Sequence, residues 1–122
     1  MAERARSMQG ILIRESFKDD EILNWVTVSK TEFWQAENHT PWQPASWTAI
    51  YVRAAKPGFT QKLSEVLLPR WYADLRDGPR KIIVLPGEVI EYQIGDAEGR
   101  ERACQRCLAA GVPPAQIDWG EE

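Results

Sequence analysis

Between two turn signals, Asp77-Gly78-Pro79 and Pro86-Gly87, runs an unbroken apolar stretch, Ile82-Ile83-Val84-Leu85. Consecutive apolar residues rich in β-branched side chains and closed off by turns on both sides favour a strand over a helix. A strand with no polar face is buried on both sides or central in its sheet. The flanking segments, Trp71 to Leu75 and Val89 to Ile94, alternate as half-buried strands do. The three together predict an antiparallel meander.

The rest of the chain supplies elements to pack against that meander. Ile11, Ile13 and Phe17 share one face at the strand period of two, which predicts a strand over 10–17 with Glu15 breaking the alternation. Asp19 or Asp20 can cap a short helix through Val26, with Ile22, Leu23 and Val26 on its inner face. Thr27 to Gln35 reads as a strand from its β-branched and aromatic content. Trp47 to Ala54 alternates, with Ile50, Val52 and Ala54 inward and Tyr51 and Arg53 outward. After the turn Lys56-Pro57-Gly58, Thr60 can cap a helix with a Leu63, Val66, Leu67 stripe that Pro69 stops. Asp96 is a natural cap for a last helix, Ala97 to Ala110, ended by Gly111. Ile117 and Trp119 would fold the tail back on the body, since apolar side chains of that size favour burial.

The expected order is therefore β-α-β-β-α-β-β-β-α. It describes an α+β domain whose mostly antiparallel sheet has five to six strands, with helices on one face. Its first six elements follow the order of a ferredoxin-like split β-α-β pair. Residues 1–9 are expected to be a flexible N-terminal extension and 10–122 a single domain, since 122 residues suit one core.

Composition narrows the function classes. No stretch approaches the roughly 20 apolar residues that cross a bilayer, and no apolar signal region follows Arg4 and Arg6, so no membrane association and a cytoplasmic location are expected. Net charge is −3 without a block of like charges, which disfavours nucleic acid, whose binding rests on neutralised phosphates. The only recognisable spacing is Cys104-Gln105-Arg106-Cys107. It falls inside the last helix rather than at its N-terminus, on a face with Ala103, Leu108 and Gly111, so both cysteines are expected to be structural. One histidine and one cysteine pair fall short of a zinc ligand set, and neither metal nor cofactor is expected.

What remains is the irregular segment 36–46, which carries two prolines and the single histidine. Three of the six tryptophans, Trp34, Trp42 and Trp47, lie in it or beside it. Long loops in small domains are often functional, and aromatic side chains there form either a binding wall or a plug for the core. Trp34, Asn38, His39, Trp42, Trp47, Tyr51 and Arg53 are the expected ligand-binding residues. The expected function is non-catalytic binding or regulation, with a small molecule or a protein as partner and room for a homo-oligomer. The alternative is a small enzyme in which His39, oriented by Glu37 or Glu32, acts as general acid or base.

Overall fold

The computed structural model describes residues 7–121. Among the described residues, six strands form one antiparallel sheet: β1 (Met8–Ile13), β2 (Thr27–Gln35), β3 (Ser46–Ala54), β4 (Ala73–Asp77), β5 (Arg80–Leu85) and β6 (Glu88–Gln93), in the order β2-β3-β1-β4-β5-β6. Two α-helices accompany them, α1 (Phe59–Val66) and α2 (Ala97–Ala109). The α+β class and the meander β4-β5-β6 follow the sequence expectation.

β5 shows why the apolar run matters. Lys81 through Leu85 are all buried. Ile82 and Val84 belong to the larger core, with Leu12, Ile50, Val52 and Leu75 of the sheet and Phe59 and Leu63 of α1. Ile83 and Leu85 point the other way, into a second core with Tyr92, Ala103, Cys107 and Trp119. Helices consequently lie on both faces: α1 over the larger core and α2 over the smaller one, where the expectation had them on a single face. The physical reason is β5 itself, since a strand apolar on both sides needs cover on both sides.

β1 and β2 flank β3, and β3 and β4 flank β1, so the connections β1 to β2 and β3 to β4 each step over one strand. The second carries α1, whose Phe59, Leu63 and Val66 recur at helical spacing and are buried. Burying side chains of this size contributes roughly 1.5–3 kcal/mol each. The first carries only 3-10 turns, Arg14–Ser16 and Asp20–Trp25, where an α-helix was expected. With that replacement and two further strands, the ferredoxin-like assignment is not confirmed. Asp19 does cap the second turn, accepting from the Glu21 N–H at 2.9 Å.

Several boundaries shift for local reasons. β1 starts at Met8, which is buried and pairs with Ala54, so Met8 and Gln9 belong to the sheet and not to an extension. Residues 1–6 of that expected extension lie outside the described residues. β1 also stops at Ile13, because the following turn aims Glu15 at β3, where its carboxylate accepts from the Thr48 N–H (2.7 Å) and hydroxyl (2.8 Å). Gly58 rather than Thr60 sits at the N-cap of α1. Gly10 has no room for a side chain: a Cβ there would lie 2.6 Å from the Asp74 carbonyl oxygen of β4. α2 ends as expected at Gly111, whose φ of 87° lets the Val112 N–H reach back to the Cys107 carbonyl. The tail then returns to the body, with Trp119 buried and its indole N–H donating to the Tyr92 hydroxyl at 2.8 Å.

Candidate functional site

α2 and the returning tail cover the β5–β6 end of their face. Over β1, β2 and β3 that face stays open, and register places Ile11, Tyr51 and Asp74 side by side on it. A cavity of about 410 Å³ lies there, floored by Ile11 and Ile13 of β1 and walled by Trp34 of β2 and Trp47 of β3. The segment entering β4 adds Arg70, Trp71 and Tyr72, and β4 itself adds Asp74; the loop adds Glu37 and Asn38, and the tail adds Gln116 and Asp118. A shallower hollow of about 320 Å³ shares Ile11 and Asp74 with it and extends toward Tyr51, Arg76 and Lys81.

The wall is held by aromatic packing. Trp71 is buried, and Trp47 meets it edge-on at 5.1 Å between ring centroids, with Trp42 edge-on at 6.1 Å. Arg70 is held at a φ of 69°, in the left-handed region that a non-glycine residue enters at a cost, and its guanidinium lies 5.1 Å from the Trp42 ring centroid. Trp42 thus backs the wall without lining the cavity.

A pair of buried glutamines ties the loop to the tail. Gln43 Nε2 donates to Gln116 Oε1 (3.0 Å), and Gln116 Nε2 donates in return to Gln43 Oε1 (2.7 Å). Gln116 Nε2 also donates to the Asn38 carbonyl, and the Thr40 N–H donates to Gln43 Oε1. Asn38 Nδ2 reaches the Ala115 carbonyl, and the Tyr72 hydroxyl donates to the Gln116 carbonyl at 2.6 Å. The loop and the tail, whose Pro114–Gln116 forms a 3-10 turn, gain a fixed mutual geometry by this route, because each buried amide needs the other. Burial, reinforced by the nearby Asp74 and Asp118 charges, raises the Tyr72 pKa far above the ordinary tyrosine value, so its hydroxyl stays a donor.

Around the rim, Glu32 accepts from the Tyr51 hydroxyl (2.6 Å) and from Trp34 Nε1 (3.3 Å). The Tyr51 hydrogen bond, then that from Trp34, lowers the Glu32 pKa, and the same bond to Glu32 raises that of Tyr51. Lys81, with its side chain only 8% exposed, pairs with Asp74 at 2.8 Å across neighbouring strands.

Of the residues expected from the sequence, Trp34, Glu37, Asn38 and Trp47 line the cavity. Tyr51 lines the neighbouring hollow, and Arg53 lies beyond it on the same face, opposite Gln9. His39 stands apart: it is exposed, and its Nδ1 lies 2.9 Å from the Thr40 carbonyl. Cys107 is fully buried and Cys104 half-buried, while Leu108, expected on the apolar face of α2, is 44% exposed. Burial, with smaller contributions from Cys104 and Glu88, pushes the Cys107 thiol up to about 12.

Sequence reasoning missed Trp71, Tyr72, Asp74, Asp118 and the two glutamines. Tyr72 and Asp74 carried a usable signal, since they alternate with buried Trp71, Ala73 and Leu75 and so face the open side. For Gln43 and Gln116, 73 residues apart, no local pattern marks the partnership. Comparisons of the chain with protein-family models, with curated proteins and with solved structures find no match.

Proposed function

We propose that this domain is a non-catalytic binding module whose ligand occupies the cavity between the open sheet face, the loop 36–45 and the tail. The observation that carries the reading is a concave, aromatic-walled space built from three separate parts of the chain and fixed by the glutamine pair. Ligand sites are typically concave, mostly apolar and set with a few oriented polar groups, and the volume is of that kind. A small molecule, or a single side chain of a protein partner, fits such a space. Catalysis through His39 draws no support from a side chain outside the cavity lining. Two cysteines without a disulfide suit the reducing cytoplasm, which we take as the location.

Tryptophan emission tests the reading, since Trp34, Trp47 and Trp71 all line the cavity. Titrating the protein with a metabolite library is expected to yield at least one ligand that shifts the emission saturably. Trp34→Leu is expected to weaken that ligand at least ten-fold with little change in melting temperature, because Trp34 is half-exposed on an edge strand. A ligand whose affinity survives Trp34→Leu unchanged, or a library with no saturable shift, would refute it.

A further inference from the structure

We propose that the cavity takes an organic cation, an alkylammonium group held against ring faces beneath an acidic rim; this rests on the reading of the cavity as a binding site. The inference comes from asking which polar groups are already engaged. Trp34 Nε1 donates to Glu32, Trp47 Nε1 to the Pro44 carbonyl, and the Tyr72 hydroxyl to the Gln116 carbonyl. Asn38 Nδ2, Gln116 Nε2 and Gln35 Nε2 are likewise engaged with protein acceptors. Arg70, the cation of the lining, lies over the Trp42 ring, and among the described residues its N–H groups make no hydrogen bond or ion pair. Trp71 Nε1 is the one ring donor of the walls without a partner among the described residues.

Acceptors present the opposite picture. Glu37, Asp74 and Asp118 contribute three carboxylates to the lining. Asp74 is paired with Lys81, but among the described residues no hydrogen bond or ion pair engages the side chains of Glu37 and Asp118. An anion entering this space would meet Arg70 and the Trp71 N–H, but also the charges of Glu37 and Asp118, which outnumber that one cation. A cation would meet carboxylates together with the faces of tryptophan and tyrosine rings, whose quadrupoles attract positive charge. A neutral apolar ligand would gain the walls but make no use of the rim.

Calorimetric titration of the whole protein at low salt, with choline, n-butylamine, 3,3-dimethyl-1-butanol (the uncharged carbon analogue of choline) and butyrate, separates these cases. Choline and butylamine are expected to bind, with the uncharged alcohol at least ten-fold weaker and no heat from butyrate. The double variant Glu37→Gln/Asp118→Asn is expected to lose at least five-fold in affinity for both cations with an unchanged melting temperature, since both side chains are exposed. If the alcohol or butyrate binds as tightly as choline, the cavity binds ligands but the cation assignment is wrong. Equal cation affinity in the double variant overturns it as well. If none of the four binds, the cation assignment also falls, and the library titration decides separately whether the cavity binds anything.

Discussion

Replacing Gln43 and Gln116 by methionine, singly and together, tests whether the loop and tail are one coupled unit. Methionine keeps the unbranched length of the side chain and removes its polar atoms. In Gln43→Met the Thr40 N–H and Gln116 Oε1 lose their partners, while Gln116 Nε2 keeps the Asn38 carbonyl. In Gln116→Met it is Gln43 Nε2 and the Asn38 carbonyl that are orphaned, while Gln43 Oε1 keeps the Thr40 N–H. The double variant orphans only the Thr40 N–H and the Asn38 carbonyl, because both side-chain amides are gone. Each of the three variants therefore leaves the same number of polar groups without a partner. At about 1 kcal/mol per orphaned group, the low end for groups near a surface, each costs roughly 2 kcal/mol. The double variant should cost about the same as either single one, which is a coupling of about 2 kcal/mol. Urea denaturation followed by far-ultraviolet circular dichroism measures all four proteins, with the slope m expected to stay constant. Additive costs, with the double variant near 4 kcal/mol, would show that the amides act independently and would refute the account of how the cavity is held.

Two further predictions concern the body of the domain. Gly10→Ala should lower stability by roughly 2 kcal/mol in thermal denaturation, since its Cβ would press on the Asp74 backbone and part β1 from β4; a change below 0.5 kcal/mol would mean the strands have slack there. For Cys107 the folded pKa, about 12, lies above the unfolded value of about 8.5, so its contribution is fully present below about pH 8.5 and is lost as pH rises toward 12. Urea midpoints of the natural protein should accordingly fall more steeply between pH 8 and 10.5 than those of Cys107→Ala, by roughly 2.7 kcal/mol in stability at the upper end, whereas parallel profiles would contradict the burial of the thiol.

The sequence by itself determined the elements whose signals are local. The apolar run of β5, the turns on either side of it, the alternation of β3 and the Gly111 stop of α2 are all read within a few residues, because backbone geometry and hydrophobic period act at that range. It also marked Trp34, Glu37, Asn38 and Trp47 as neighbours of something, since a tryptophan-rich loop in a small domain has to pack somewhere. Only the tertiary structure decided what that something is. Trp71 and Tyr72 read as the start of a strand until the approach to β4 turns Trp71 against Trp47 and Tyr72 against Trp119. The return of the tail through Ile117 and Trp119 is legible in the sequence, but that it brings Gln116 and Asp118 to the loop and the cavity is not. The helices divide between two faces because β5 is apolar on both, and that division leaves β1, β2 and β3 open on one side. The cavity arises from surfaces brought together by long-range packing, where the free energy of burying Trp71 and Trp119 selects the arrangement. No spacing along the chain encodes it.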